Sequence, residues 1–212
     1  MNCIVVLGLV AFAIGSVPSG YIVGRLHGVD IRQLGSGNVG ATNAGRVLGK
    51  RAGIVVLVFD MLKGAIAACL APLCSGMTPP AILGAEAAIL GTLAVLGHCY
   101  SPFLKFRGGK GVASGMGAFV VATPLAALLA VLVFAVTFAA TRLVSLASIL
   151  ATAALPFALA AADLTEFQLV PAATQCAAAL SACVIIFRHR ANIARLRAGT
   201  EPRFKTKTPE AS

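Results

Sequence analysis

Charge is scarce in this chain. Of its 212 residues 11% are charged, and only seven are Asp or Glu. A soluble domain carries about a quarter of its residues charged, so a water-solvated globule is excluded. Histidine is confined to His27, His98 and His189, with no H-E-x-x-H pattern and no close ligand pair. The cysteines, Cys3, Cys69, Cys74, Cys99, Cys176 and Cys183, have no C-x-x-C spacing and lie in or at the ends of apolar runs. They read as small core residues, and no metal or other cofactor is expected. Internal repeats, low-complexity linkers and soluble segments are missing too, which leaves one compact unit.

What fills the chain is apolar. Hydrophobic residues make up 58%, the mean hydropathy is +0.93, and runs of about 20 residues recur, the length an α-helix needs to cross a bilayer. They place spans at about 3–24, 53–74, 80–100, 143–162 and 167–187. Between these lies Gly111 to Ala140 with Pro124 near its middle, either one long kinked helix or two short ones. A turn at Thr123-Pro124 gives seven spans and puts every Lys and Arg except Lys63 on one side, as the cytoplasmic bias of cations requires. The fold class expected is therefore an all-α polytopic membrane protein with seven transmembrane helices, N-terminus outside and C-terminus cytoplasmic. Residues 1–204 form a single membrane-embedded domain and 205–212 a short basic tail. The outer face is left with short connections such as SGMTPP and DLTEF. The first run lacks a positive n-region and is kept as a span. Small residues such as Gly20 and Gly24 suit close helix contacts.

Three polar stretches share the cytoplasmic side. In LGSGNVGATNAGR, the glycines Gly35, Gly37 and Gly40 match G-x-G-x-x-G, but no βαβ unit surrounds them. Asp60, twenty residues on, lies inside an apolar run, so dinucleotide binding is rejected. The glycines instead permit a nest of N–H groups, to which Ser36, Asn38, Thr42 and Asn43 add neutral donors and Arg46 a charged fork, a loop suited to an oxyanion. The alternative is a flexible connector. The second stretch, KFRGGKG, sets Lys105, Gly108, Gly109, Lys110 and Gly111 before an apolar helix, a phosphate-site arrangement at a helix N-terminus that is not a Walker A. Its alternative is an anchor on anionic lipid. In RHRANIARLRAGTEPRF, His189, Asn192 and Arg195 recur at i, i+3 and i+6, on one side of a continuing helix that Gly199 ends. A solvated basic segment is the alternative, favoured for Arg190, Arg197, Arg203, Lys205 and Lys207. Within the spans, Asp60 and Lys63 read as a structural bridge more than as direct chemistry. His98 stays open between loop anchoring and function, and Glu86 is left out of the site.

Together SVPSGYIVGR, GSGNVGATNAGR, DMLKG, GHCYSPFLKFRGGKGVAS and RHRANIARLRAGTEPRF resemble the bacterial acyl-phosphate:glycerol-3-phosphate acyltransferase family of the inner membrane. The resemblance implies a multi-pass enzyme with its active site on the cytoplasmic side. Such an enzyme acylates the sn-1 hydroxyl of glycerol 3-phosphate from a long-chain acyl phosphate, giving 1-acylglycerol 3-phosphate and phosphate, the first acylation of phospholipid synthesis. It implies as partners the two substrates, membrane lipid and the soluble enzyme that makes acyl phosphate, with no nucleic acid. By position it implies His189, Lys105, Ser36 and Arg46 as catalytic. Gly35, Gly37, Asn38, Gly40, Thr42, Asn43, Gly108, Gly109, Lys110, Gly111, Asn192, Arg195 and Glu201 are the implied substrate-binding residues. Ser114, Arg107 and the Cys99-Pro102 turn depart from the family pattern.

The chemistry agrees. Two anionic substrates call for convergent cations and N–H donors. An acyl phosphate is already activated and needs no enzyme nucleophile, and G-x-S-x-G is absent. So is the H-x-x-x-x-D pair of acyl-CoA-dependent glycerophosphate acyltransferases, since Arg32, Phe103 and Ala194 stand five after the three histidines. Direct attack by the glycerol hydroxyl follows, its proton going to His189 or to a substrate phosphate. The phosphate is favoured, because cations around His189 depress its pKa and suit it to hold glycerol 3-phosphate as a neutral hydrogen-bond donor. An organophosphate transporter and a lipid-binding structural protein are the rival classes.

Overall fold

The computed structural model describes residues 3–75, 84–164 and 170–204. The expected outer connections SGMTPP and DLTEF lie largely outside these, as do the basic tail from 205, with Lys205 and Lys207, and the outer edges of the third and last expected spans.

Among the described residues the chain is helical, as a backbone in lipid must be to satisfy its own polar groups. The helices are α1 (Cys3–Ser16), α2 (Ser19–Leu26), α3 (Ala41–Val47), α4 (Lys50–Ala68), α5 (Pro72–Ser75), α6 (Ala85–Cys99), α7 (Val112–Ala122), α8 (Pro124–Thr141), α9 (Val144–Leu164), α10 (Ala172–Arg188) and α11 (Arg190–Arg197). The first apolar run is broken at Val17-Pro18, because proline lacks an N–H and drives the preceding residue out of the helical region. Pro124 does the same at Thr123, so the long run after Gly111 is two helices. Four segments are long and apolar enough to cross a membrane, Cys3–Leu26, Ala85–Leu104, Pro124–Thr141 and Val144–Leu164, or five if α10 and α11 count as one bent span. Helix α4 carries Lys50, Arg51, Asp60 and Lys63 within 19 residues, and α7 has only 11, about 16 Å.

The core is built from backbones in contact. On α1, a Cβ at Gly15 would collide with the Ala94 carbonyl of α6, and one at Gly97 with the Phe12 carbonyl of α1. Gly64 of α4 lies equally close to the Ser114 carbonyl of α7, and Gly117 of α7 to the Met61 carbonyl of α4. Fully buried Ala11, Ala67, Ala88, Ala94 and Ala118 complete this layer. Lipid offers no hydrophobic drive for helices to associate, so close van der Waals approach through small residues supplies it. Helices α8 and α9 form an outer pair joined at Arg142-Leu143, their exposed faces bearing Leu125, Leu128, Leu132, Val136 and Phe157.

One polar cluster sits inside. Asp60, 1% exposed on α4, accepts a hydrogen bond from Ser19 Oγ at 2.6 Å and pairs with Lys63 Nζ at 2.8 Å. Lys63 also donates to the Val17 carbonyl at 3.0 Å, at the proline break between α1 and α2. The expected bridge is present, and it ties α4 to that break.

Gly117→Ala is expected to destabilise the protein by about 1–3 kcal/mol or more, since its methyl meets backbone that cannot move aside. Val136→Ala, at a position 69% exposed, should stay within about 0.5 kcal/mol. Unfolding in detergent micelles measures both.

Candidate active site

The first polar stretch folds as a short 3-10 turn at Ile31–Gln33, a glycine turn and α3. Gly35 and Gly37 take φ +59° and +70°, the left-handed region that glycine enters without strain. Asn43, 2% exposed, accepts the Ser36 N–H at 2.8 Å and donates to the carbonyls of Ile31 and Leu34. A Cβ at Gly35 would strike its side chain. Asn38 accepts the Gly40 N–H at 2.8 Å, and the Gly37 N–H goes to Leu34. The expected open nest is thus corrected: the N–H groups of Ser36, Gly37 and Gly40 are bonded within the loop, and the two asparagines are its internal frame. Ser36, Thr42 and Arg46 remain on its accessible side, Arg46 reaching the Pro202 carbonyl at 3.4 Å.

The second stretch is corrected in the same way. The Gly108 N–H donates to the Cys99 carbonyl at 3.2 Å and the Gly109 N–H to that of His98 at 3.0 Å. Arg188 takes the two glycine carbonyls from the other side, Nη2 to Gly108 at 2.5 Å and Nε to Gly109 at 3.0 Å. All four polar backbone groups of the glycine pair are satisfied by protein, so these glycines shape the loop. Gly111, at φ +89°, caps α7, whose first turn leaves N–H groups without helical partners. Lys105 and Phe106 are exposed and sit at φ +52° and +61°. Two successive side-chain-bearing residues in that region store strain of a kind that collects at functional sites.

In the third stretch the helix does not continue. It bends by 58° between α10 and α11, with His189 at the corner. His189 Nδ1 lies 2.8 Å from the Ile185 carbonyl, which can only accept, so Nδ1 carries the proton and the neutral ring offers Nε2 as an acceptor. This overturns the expected donor role. Burial, then the Lys110 charge, pushes the imidazole down to about 4, so it is neutral at physiological pH. Asn192 and Arg195 both bond Glu201, Nδ2 to Oε1 at 2.6 Å and Nε to Oε2 at 2.7 Å. Burial alone would raise the Glu201 carboxyl. Ser145 and these two donors outweigh it and hold the group below its ordinary value. Gly199, at φ +69°, ends α11 as expected.

Lys110 lies within electrostatic reach of all three stretches. Its ammonium is pushed down to about 8 by burial, opposed by Glu201 and assisted by Arg195, Arg46 and Arg188. Cations from all three stretches therefore lie within electrostatic reach of one amine, with His189 beside it. Lys105 lies on the exposed rim, five residues away. Two residues escaped the sequence reading. Arg188 counted only as a neighbour of His189, and Ser145, buried at the start of α9, lies in no motif. The Ser145 hydroxyl lies near Glu201 without making a hydrogen bond to it. From Val112 and Ile185, both near the Lys110 loop, an apolar groove runs past Phe119, Ala130, Phe134 and Leu155.

Fold and site define an integral membrane protein with a convergent cationic centre beside an apolar groove. The sequence model of the glycerol-3-phosphate acyltransferase family matches residues 5–199. The glycerol-3-phosphate acyltransferase of Geotalea daltonii is 42% identical over 205 residues, 97% of this chain and 100% of the relative. That of Geobacillus kaustophilus is 44% identical over 198 residues, 93% and 94% of the two chains. The crystal structure of PlsY (YgiH), an integral membrane glycerol 3-phosphate acyltransferase, in its glycerol 3-phosphate form matches with a TM-score of 0.85 at 40% identity over 96% of each chain. Its lysophosphatidic acid form matches at 0.82, with the same identity and coverage. This chain belongs to the glycerol-3-phosphate acyltransferase family and is an acyltransferase.

With Lys110 titrating at about 8, kcat/KM for an anionic substrate is expected to fall as pH rises through that value and the cation is lost. Lys110→Arg, whose guanidinium stays charged, should move this descending limb above pH ~10. An unmoved limb would assign it to another group.

Proposed function

We propose that the protein transfers a fatty acyl group from a long-chain acyl phosphate to the sn-1 hydroxyl of glycerol 3-phosphate, at the cytoplasmic side of a bacterial inner membrane. Phosphate and 1-acylglycerol 3-phosphate are the products. The observation that carries this reading is that Arg46, Arg188, Arg195 and neutral His189 all lie within electrostatic reach of Lys110, with an apolar groove lined by Val112 and Ile185 close by in the chain. The solved relative is described with glycerol 3-phosphate and with lysophosphatidic acid, the acceptor and product of such a transfer.

In this mechanism Arg46, Lys105, Lys110 and the first turn of α7 hold the two phosphates with charge-assisted bonds. Ser36, Thr42 and Ser145 add hydroxyl contacts. Asn38, Asn43, Gly108, Gly109 and the Asn192–Arg195–Glu201 set keep the loops in shape. The acyl tail lies in the groove. The glycerol oxygen attacks the acyl carbonyl carbon, the bond from that carbon to the phosphate oxygen breaks, and phosphate leaves with the electron pair. In the bound complex His189 Nε2 accepts the hydroxyl hydrogen bond and orients the nucleophile, and the hydroxyl turns its hydrogen to a substrate phosphate as the oxygen attacks. An imidazole titrating at about 4 is a weaker base than a phosphate dianion, whose conjugate acid has a pKa of ~6, so a substrate phosphate takes the proton. A transport role rests only on the intramembrane Asp60–Lys63 pair, and Ser19 and Val17 close that pair on itself.

Residues 1–204 act as one domain with seven crossings, α1–α2, α4, α6, α7, α8, α9 and α10, N-terminus outside. The Lys and Arg distribution and the Thr123-Pro124 break support this count. With Thr123 at the outer surface, an α7 of only about 16 Å ends well inside a hydrocarbon core of ~30 Å. The catalytic loop is then recessed into the membrane, within reach of an acyl carbonyl.

Purified protein should form lysophosphatidate from acyl phosphate and glycerol 3-phosphate but not from long-chain acyl-CoA. Arg46→Ala should lower kcat/KM by roughly 30- to 1,000-fold, while Arg197→Ala, exposed on α11, stays near wild type. Robust turnover with acyl-CoA would sink the donor assignment. For topology, single cysteines at Asn38 and Asn192 in a cysteine-free background should react from the cytoplasmic side and one at Thr123 from the outside. Labelling of Thr123 from inside would refute seven crossings.

A further inference from the structure

The bridge formed by Asp60, Lys63, Ser19 and Val17 is complete as a tie between helices, yet a fifth group joins it. His98 Nδ1 lies 3.4 Å from Asp60 Oδ1, and the ring is buried, 7% exposed, at the inner end of α6. Its other nitrogen, Nε2, lies where a Cβ on Gly109 would stand. The His98 carbonyl accepts the Gly109 N–H, and it also occupies the space a Cβ on Gly108 would need. The imidazole is therefore the floor on which the glycine pair rests, and Arg188 closes the pair from above. Lys110 follows directly.

We propose that Asp60 and His98 are positioning residues of the acyltransferase site: the buried carboxylate holds the imidazole in one orientation, and the imidazole sets the Gly108–Gly109 turn that aims Lys110. Each link is a contact between groups with little freedom. Asp60 is fixed by Ser19 and Lys63, and the glycine pair has no unsatisfied backbone group through which it could settle elsewhere. A ring released from Asp60 turns against Gly109, where there is no room, and the loop carrying Lys110 shifts. This inference rests on reading Lys110 as a ligand of substrate phosphate.

Four variants test it in purified, detergent-solubilised protein assayed with acyl phosphate and glycerol 3-phosphate. Asparagine keeps an amide N–H toward Asp60 but leaves the space beneath Gly109 empty, so His98→Asn should still raise KM for at least one substrate. His98→Ala and Asp60→Asn should raise KM for at least one substrate and lower kcat/KM by about 10- to 100-fold, the cost of a misplacement near 1 Å. His98→Gln, whose amide reaches toward Gly109 instead of Asp60, should behave like the alanine variant. A residue needed only for folding would reduce the active fraction, scaling kcat down with both KM values unchanged. That pattern overturns the proposal. If His98→Ala does not fold, the Asn and Gln variants decide, and wild-type KM values in both overturn it. Lys110→Ala with unchanged KM values would refute the phosphate-binding reading, a result separate from the His98 series.

Discussion

An ionised carboxylate inside an apolar helix is the constraint around which the rest is arranged. Asp60 could not remain charged in lipid without partners, because desolvating an isolated ion costs more than helix packing returns. Ser19, Lys63 and His98 meet that requirement from three places in the chain. Lys63 then binds the Val17 carbonyl that the proline break exposes. The break between α1 and α2, the inner end of α6 and the middle of α4 are thereby drawn to one point. The glycine loop that carries Lys110 is laid directly on it.

Close helix crossings make such a point possible. Gly15, Gly64, Gly97 and Gly117 let backbones touch, so polar side chains of modest length bridge helices without water. The same economy governs the loops. Asn38, Asn43, His98, Cys99 and Arg188 engage the N–H and C=O groups of the glycine turns, which leaves anion binding to side chains and to the first turn of α7. A loop held this way has few alternative conformations, and a preorganised loop loses little entropy when substrate arrives.

Much of this was legible in the sequence. Apolar runs located the long helices, Pro124 marked the break it causes, and Gly199 ended the last helix, because these features act through local backbone chemistry. The break at Pro18 was not legible, since its run reads as one span. The three polar stretches were visible as the only dense groups of donors at the ends of apolar runs. Their internal division of labour was not. Asn43 and Ser36 look alike as donors in sequence, yet one is buried and bonded three times while the other is exposed. Arg188 ends α10 and Arg190 begins α11, and nothing in the sequence tells which of the two turns to the glycine pair. The α10–α11 bend at His189 has no proline or glycine to announce it.

The sequence by itself determined that this is a helical membrane protein of the glycerol-3-phosphate acyltransferase family, since composition, run length and ordered motifs are properties of the chain before it folds. Only the tertiary structure decided that Lys110 feels the charges of the other two stretches, that Glu201 neutralises part of the third, and that His189 presents an acceptor. Those outcomes depend on which groups come close to one another. That distance is set by helix crossings and bends between residues far apart in the chain, where no local pattern records it.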